Sequence, residues 1–455
     1  MDTIFQHDYW PFVVLLLSVI LVVTFITKWH FHPFIALMLS AIFVGLLSNN
    51  LPMIQGQNPL VTVVELPMAE FGLMAGKIAW VIALAAVIGT AMMESGAAEQ
   101  IVNWLLANLG DKRAGWALIL SGFILSIPVF FDTVFFLLIP LGITLSQKTG
   151  KDFVLYVAAI GGGAVISHSI VPPTPGPLIM AETLGIELGT VILAGLLAGI
   201  IPAMVVHWVA KWLNKKLNIP VRVSREYVGT NNPPSLALSI LPIVCPLLMI
   251  SFSSVVEMIS GELPGWIAFQ GNKNIAMGTG AFFAIFIWQK SKKMPSTELW
   301  KAISRPLELG GMIILITSAG GAYGAMIAHS GIGNAISLAT EGSKVPFIVL
   351  AWLIAAVLKI AQGSGTVSMV TTAAIMAALI GPESQLVYHP IYILLSIGFG
   401  SLFVSWMNDS GFWVVTQMSG FTEKEGLQTW TLLLAIIALV GLCQVLLLAW
   451  IFPLV

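Results

Sequence analysis

The chain has 455 residues, of which 58% are hydrophobic and only 9% are charged, and its formal net charge is −1. Soluble domains carry roughly 25% charged residues, and no polar stretch here is long enough to close a core of its own. Long apolar runs recur along the whole length, so we predict an all-α polytopic membrane protein with one transmembrane transporter domain over residues 1–455.

The first two spans are predicted at Pro11 to Thr27 and at Pro33 to Leu47. The residues before Pro11 lack the basic region of a cleavable signal peptide, so the first span is expected to remain in the protein. Lys28 lies between the two spans, whereas the loop from Ser48 to Glu70 has no Lys or Arg. Because basic residues favour cytoplasmic loops, we expect the N-terminus outside the cytoplasm.

A third span, about Leu73 to Met93, and an interfacial helix, Ala97 to Gly110, precede an apolar run from Trp116 to Ser146. This run is too long for one crossing of the bilayer and too short for two. Basic residues on both sides of the run predict a re-entrant hairpin that enters from the cytoplasm.

Asp132 lies in the middle of this apolar run. A charge at bilayer depth costs roughly 2.5–3.5 kcal/mol on insertion scales, so such a residue usually faces a cavity, a partner or a substrate path. As a protonatable group at this depth, Asp132 is expected to carry a coupled proton. The alternative is a structural cap that accepts backbone N–H bonds at the hairpin tip.

The next span, Phe153 to Val171, stops at Pro172 to Pro177, where four prolines forbid regular helix. His168 precedes this break, where it would bond a substrate carboxylate or hydroxyl. A buried histidine that bonds a backbone carbonyl is an equal alternative. The following span, about Leu188 to Ala210, leads into a basic loop whose charge we attribute to topology rather than to lipid or nucleic-acid binding.

Further spans are predicted at Ser235 to Val255, Ile275 to Trp288 and Leu309 to Ala328. Val345 to Ile380 is again an apolar run too long for one crossing, and its flanks lack the basic excess of the inner loops. We therefore predict a second re-entrant hairpin, which enters from the outside.

The second hairpin breaks at Gln362-Gly-Ser-Gly-Thr366, which combines two glycines with two hydroxyl side chains. Helix N-termini bind carboxylates through free N–H groups, and small residues let a ligand approach the backbone. We therefore predict substrate contacts for Gly363, Ser364, Gly365 and Thr366. The alternative is tight packing of the hairpin without ligand contact.

The span from Ile391 to Met407 breaks at Asn408-Asp-Ser-Gly411, and a last span, Thr429 to Phe452, places the C-terminus outside. Asp409 is a second acid at or near membrane depth, and we predict that it shares the proton-coupling role. Asn408 and Ser410 are assigned to the substrate site. An ordinary turn is the alternative, because Asp and Gly favour turns.

The two halves of the chain show the same order of elements, with weak local matches. Gly89 to Gly96 match Gly324 to Gly331, which pairs Glu94 with His329 as scaffold positions, and Thr133-Val134 match Thr366-Val367. The halves have opposite predicted orientations, so we predict an inverted-topology repeat with about ten spans, two re-entrant hairpins and two broken helices. The first repeat covers about 73–210 and the second about 309–452, while 1–72 and 211–308 add spans and basic inner loops. Such repeats are typical of secondary transporters.

Four motifs resemble, in order, those of the gluconate permease (GntP) family: Phe130-Phe-Asp132, His168 to Pro177, Gly363 to Val367 and Asn408 to Trp413. The resemblance spans nearly the whole chain. It implies proton symport of gluconate and related small hydroxy acids, or of D-serine in some members, across the inner membrane. Thr174 stands where the family commonly has histidine, which favours a smaller or differently hydroxylated acid.

We therefore expect an importer of gluconate or a related hydroxy carboxylate driven by proton symport, with the carboxylate, protons and the bilayer as partners. Na⁺-coupled uptake of a carboxylate or a D-serine-type amino acid and a passive carboxylate channel are the alternatives. The sequence has no catalytic motif or metal-ligand spacing, so we expect no enzyme activity, metal, cofactor or nucleic-acid partner, and a homo-oligomer is left open. The predicted proton-coupling residues are Asp132 and Asp409, and the predicted substrate-binding residues are His168, Thr174, Gly363, Ser364, Gly365, Thr366, Asn408 and Ser410.

Overall fold

The computed structural model describes residues 10–48, 51–52, 58–217, 219–223, 233–260, 262–331, 335, 346–381 and 386–454. Within these ranges the regular secondary structure is helical throughout, which confirms the all-α prediction. A helix bonds its own backbone N–H and C=O groups, and in lipid no water is present to bond them otherwise. An apolar chain of this composition therefore folds into helices.

The helices of the first half end at residue 217. They are α1 (Trp10–Thr27), α2 (Pro33–Leu47), α3 (Pro59–Glu94), α4 (Ala97–Leu109), α5 (Ala114–Leu125), α6 (Phe131–Thr149), α7 (Phe153–Ile170), α8 (Pro175–Leu184), α9 (Leu188–Ala198) and α10 (Ile200–Leu217).

The helices of the second half begin at residue 236. They are α11 (Leu236–Ser260), α12 (Gly265–Gly271), α13 (Lys273–Lys292), α14 (Ser296–His329), α15 (Phe347–Gln362), α16 (Gly365–Ile380), α17 (Ile391–Gly400), α18 (Ser410–Ser419) and α19 (Glu423–Ile451). One turn of α19, Leu427–Thr431, is π-helical.

Seven helical segments in the described part of the chain are long and apolar enough to cross a membrane. Shorter apolar helices, among them α5, α15, α16 and α17, accompany them. These lengths and compositions confirm a polytopic membrane protein. The orientation of the two termini stays a prediction, and residues 1–9 lie outside the described residues. The long segments are Pro59–Glu94, Phe131–Thr149, Phe153–Leu184, Leu188–Leu217, Leu236–Glu257, Ser296–His329 and Glu423–Ile451.

The helices α3 and α14, with 36 and 34 residues, pack extensively against each other. In addition, α14 packs against α2, and α3 packs against α13. At 1.5 Å per residue each is roughly 50 Å long, which exceeds the roughly 30 Å of the hydrocarbon core. Glu94 pairs with Lys292 at 3.4 Å, and His329 pairs with Glu70 at 3.1 Å. Glu94 and His329, the predicted scaffold positions, therefore lie at the ends of this long-helix group.

Three predicted helix starts lie several residues too late. The last span begins at Glu423 rather than at Thr429. The spans at Leu73 to Met93 and Leu309 to Ala328 are the later parts of α3 and α14, which begin at Pro59 and Ser296. Lys, Arg and Glu are good helix formers, so a helix continues through charged residues after it leaves the apolar region. The charge pattern therefore does not mark where the helix begins or ends.

Both over-long apolar runs are interrupted where the sequence predicts a break. Residues 126–130 separate α5 from α6, and Gly363 and Ser364 separate α15 from α16. The two broken pairs α7–α8 and α17–α18 follow in the same order in each half. The direction from which each hairpin enters the membrane and the inverted relation of the halves stay predictions.

The second broken helix ends earlier than predicted. α17 stops at Gly400 instead of continuing to Met407, and residues 401–409 have no regular helix beyond short turns. Val404 has a φ of 52° there, which a β-branched residue rarely adopts. Because Leu402 and Phe403 are apolar, hydropathy extends the predicted span through a segment that the tertiary structure uses as a loop.

The crossing of α5 and α7 depends on close backbone approach. A Cβ on Gly163 would lie 2.2 Å from the carbonyl oxygen of Ile119, and one on Gly122 would lie 2.6 Å from that of Ile160. Apolar side chains gain little from burial against each other in lipid, so helix contacts in membranes rely on small residues and tight packing. This contact fixes the first hairpin on α7 and so positions Asp132.

We predict that Gly163→Ala lowers the stability of the purified protein by about 1–3 kcal/mol, because the new methyl group overpacks the α5–α7 crossing. Gly278→Ala in α13 is the matched control, since no atom lies within 4 Å of its added Cβ. The control should be neutral or stabilising by up to about 1 kcal/mol, because alanine favours helix over glycine. Thermal unfolding in detergent measures both, and equal midpoints for the two variants would contradict the packing argument.

Candidate functional site

A cavity of about 440 Å³ lies where the two hairpin breaks meet the two broken helices. It brings together residues from both halves of the chain, at positions near 132, 168, 364 and 409. Of the predicted site residues, the cavity is lined by Asp132, His168, Ser364, Gly365, Thr366, Asp409 and Ser410.

A second cavity of similar size, about 470 Å³, lies at the turn between α8 and α9. Its charged groups already have partners, since Glu182 pairs with Lys273 and Glu187 accepts a hydrogen bond from Ser254. The cavity at the hairpin breaks is therefore the better candidate, because it combines an unpaired acid with several polar side chains.

Three helices begin at the wall of the candidate cavity. They are α6 at Phe131, α16 at Gly365 and α18 at Ser410. The first N–H groups of a helix have no partner within the helix, and together they carry a partial positive charge. The Ser364 hydroxyl accepts one such bond from Val367 N at 3.3 Å, whereas no side chain caps α6. The convergence of these N-termini suits a negatively charged ligand.

Asp132 is the second residue of α6, and its side chain is half-buried at the cavity wall. In the described residues, no hydrogen-bond donor or cation is paired with its carboxylate, and the backbone bonds of a capping role are not seen there. Asp409 lines the same cavity. Asp132 is therefore a carboxylate that faces the cavity without compensation by a neighbour.

Asp409, in contrast, is almost fully buried and has several donors. Lys359 Nζ and the Ser405 hydroxyl donate to its Oδ2, the former at 2.7 Å, and Gly411 N donates to its Oδ1 at 3.0 Å. The Asp409 carboxylate thus has a cation and two further donors as partners. The two acids of the site consequently have different environments.

Lys359 was missed in the sequence-based prediction of the site. It lies in the last turn of α15, is 5% exposed, and donates to the carbonyl oxygen of Gly363 at 2.7 Å as well as to Asp409. The signal was present, because Lys359 is a lone cation inside the apolar run from Val345 to Ile380. The cost of a charge at bilayer depth, which singled out Asp132, applies to it equally.

Trp430 is a second residue that the sequence did not indicate. It belongs to the π-helical turn of α19 and lines the cavity. Its Nε1 donates to the Ser405 hydroxyl at 2.9 Å, and its ring stacks on Phe131 with 5.5 Å between the ring centroids. π-helical turns often occur at functional sites. Trp430 links the Asp409 network to the residue beside Asp132.

His168 lines the cavity at the end of α7, and its Nδ1 is buried with no hydrogen-bond partner in the described structure. The expected alternative, a histidine that bonds a backbone carbonyl through this atom, is therefore not observed. An unpaired buried ring nitrogen is rare in folded proteins, and the described residues supply no partner for this one.

Three predicted site residues lie outside the cavity lining and support the backbone around it. The Thr174 hydroxyl donates to the carbonyl oxygens of His168 at 2.9 Å and Val171 at 2.7 Å. Asn408 Nδ2 donates to the carbonyl oxygen of Ile360 at 2.7 Å. Gly363 has a φ of 78°, and a Cβ there would lie 2.1 Å from the Asn408 carbonyl oxygen. Their direct contact with a substrate stays a prediction.

We predict that Ser405→Ala lowers stability by about 1–3 kcal/mol, because it removes a donor to Asp409 and leaves the buried Trp430 N–H without a partner. Ser121→Ala is the matched control, since the equally buried Ser121 hydroxyl only donates to Ala117 within its own helix. Thermal unfolding of the purified proteins measures the difference. Equal unfolding midpoints for Ser405→Ala and the wild-type protein would show that the Trp430–Ser405–Asp409 chain adds nothing to stability.

The fold is similar to that of two transporters of known structure. The YdaH transporter of Alcanivorax borkumensis aligns with a TM-score of 0.64 at 14% identity, covering 93% of this chain and 98% of its own. MtrF of Neisseria gonorrhoeae aligns with a TM-score of 0.62 at 14% identity, covering 95% of this chain and 97% of its own. At this identity the similarity establishes a shared fold.

Sequence relatives are closer. A protein named gluconate permease from Pseudomonas aeruginosa is 30% identical over 458 residues, which cover 98% of both chains. A low-affinity gluconate transporter from Escherichia coli K12 is 28% identical and covers 93% of this chain and 95% of its own. The profile of the GntP family permeases matches residues 10–451. The chain therefore belongs to the GntP permease family of multi-pass membrane transport proteins.

Proposed function

We propose that this protein is a secondary active transporter of the inner (plasma) membrane, which imports gluconate or a related small hydroxy carboxylate together with protons. The observation that carries the proposal is the unpaired Asp132 beside three helix N-termini in one cavity. Relatives over nearly the full length are named gluconate permease or gluconate transporter, which supports the choice of substrate.

The cavity has the chemistry that a hydroxylated anion requires. Free N–H groups at the start of α6 and α16 suit a carboxylate, and the hydroxyl groups of Ser364, Thr366 and Ser410 suit the hydroxyls of the substrate. His168 adds a further polar contact. A volume of about 440 Å³ also lies in the range of roughly 300–1,000 Å³ that is usual for small-molecule sites.

The charge balance of the cavity links proton and substrate binding. The charged residues of the described lining are Asp132, Lys359 and Asp409. When Asp132 is protonated, Lys359 and Asp409 cancel, and an entering anion meets no net negative charge. When Asp132 is ionised, it repels the anion. Each ligand therefore favours the other, which is the coupling that symport needs.

We assign the coupled proton to Asp132 rather than to Asp409. Asp409 accepts bonds from Lys359, Ser405 and the backbone of Gly411, and protonation would weaken all of these contacts. Asp132 has no such partners to lose within the described structure. The two predicted proton-coupling residues thus take different roles.

Uptake of labelled gluconate into proteoliposomes tests the proposal directly. We expect accumulation under an imposed inward proton gradient in the absence of Na⁺. A strict Na⁺ requirement would instead support Na⁺ coupling, and equilibration without accumulation under either gradient would support a channel. If neither gluconate nor shorter aldonates enter or compete while D-serine does, the substrate assignment is wrong.

We predict that Asp132→Asn abolishes accumulation driven by the proton gradient, because the amide cannot gain or lose the coupled proton. Exchange of labelled for unlabelled gluconate across the membrane should persist, since the amide resembles the protonated acid. Asp152→Asn is the matched control, because Asp152 lies on the α6–α7 turn and accepts its hydrogen bond from Asn214. Wild-type accumulation by Asp132→Asn would remove Asp132 from the proton pathway.

A further inference from the structure

Lys359 has one ammonium N–H that its protein neighbours leave unused. A lysine ammonium group carries three N–H donors. Two are directed at the carbonyl oxygen of Gly363 and at Asp409 Oδ2, both at 2.7 Å. In the described structure no other acceptor is bonded to Nζ, and Lys359 lines the cavity. The third donor is therefore available to a ligand.

We infer that Lys359 binds the carboxylate of the substrate, and that Asp409 holds its ammonium group in position while the site is empty. This inference rests on the proposed function, because it names the residue that recognises the anionic end of the proposed substrate. Among the described lining residues, Lys359 carries the positive charge, whereas Asp132 and Asp409 are acids.

The surroundings of Asp409 allow its ammonium partner to be shared. The Ser405 hydroxyl and the backbone N–H of Gly411 bond Asp409 independently of Lys359. Asp409 thus keeps two hydrogen-bond donors when the Lys359 ammonium group also donates to a substrate carboxylate. Gly363 and the end of α15 anchor the lysine at the hairpin break, so its reach is confined to the cavity.

The same arrangement sets a preference among ligands. In a ligand with one carboxylate, this group binds Lys359, and the hydroxylated remainder of the ligand extends towards the hydroxyl groups at the start of α16. A second carboxylate on the same ligand would face Asp132 and Asp409 without a further cation in the described lining. We therefore expect monocarboxylates to bind better than their amides and better than the corresponding dicarboxylates.

The alternative is that Lys359 serves only as the structural partner of Asp409. Lys359→Met alone would not separate these roles, because it leaves the buried Asp409 carboxylate without its cation and endangers folding. The double variant Lys359→Met/Asp409→Asn removes both charges together. The matched control is Lys273→Met/Glu182→Gln, which removes an ion pair between α8 and the start of α13 that does not line the candidate cavity.

The test is binding of labelled gluconate to the purified full chain, in competition with unlabelled gluconate, gluconamide and glucarate. We expect the wild-type protein to prefer gluconate over gluconamide by about tenfold or more, as a charge-assisted hydrogen bond would provide. The double variant at Lys359 and Asp409 should lose affinity for gluconate by a similar factor and no longer distinguish the acid from its amide. The control pair should bind as the wild type does.

Wild-type preference for gluconate in the double variant would overturn the inference and leave the proposed function intact. The same conclusion would follow if the wild-type protein bound gluconamide as well as gluconate, which decides the question even where the double variant does not fold. Failure of the wild-type protein to bind any small hydroxy acid would instead overturn the proposed function.

Discussion

The buried ion pair between Lys359 and Asp409 is the interaction on which the second half of the site depends. Lys359 lies in the last turn of α15, Asp409 immediately precedes α18, and the same ammonium group donates to the Gly363 carbonyl oxygen at the hairpin break. Removing one member of a buried pair typically costs roughly 3–5 kcal/mol, because the other charge remains unpaired. The ion pair therefore connects the break between α15 and α16 to the break between α17 and α18.

The first half of the site contributes an acid without a paired cation, in contrast to Asp409. Asp132, the second residue of α6, has no paired cation in the described structure, and Phe131 beside it stacks on Trp430. Trp430 in turn bonds Ser405, which bonds Asp409. The start of α6 is thus connected through Trp430 and Ser405 to Asp409, which lies in the break between α17 and α18. The two acids differ, because Asp409 has a cation and further donors, whereas Asp132 has none in the described structure. A site with one compensated and one uncompensated acid is the arrangement on which the proposed proton symport rests.

Run length and residue type predicted much of this architecture. The apolar runs around Asp132 and Gly363 were too long for one crossing, and both are interrupted in the structure at the predicted places. The predicted helix boundaries were less accurate, as the early end of α17 at Gly400 shows. Hydropathy shows only where the chain is apolar. A helix ends where its backbone groups form hydrogen bonds outside the helix or where packing against neighbouring segments requires a loop.

The membrane class and the two breaks followed from the chain alone, because the cost of burying charge and backbone polar groups in lipid acts locally on each segment. The same cost singled out Asp132, whose role stays a prediction. The pairing of Lys359 with Asp409, the placement of Trp430 and the enclosure of one cavity were decided only by tertiary packing. These contacts join residues from helices far apart in the chain. No local pattern records which helix faces which, since that depends on how tightly the glycine-rich crossings allow the helices to approach.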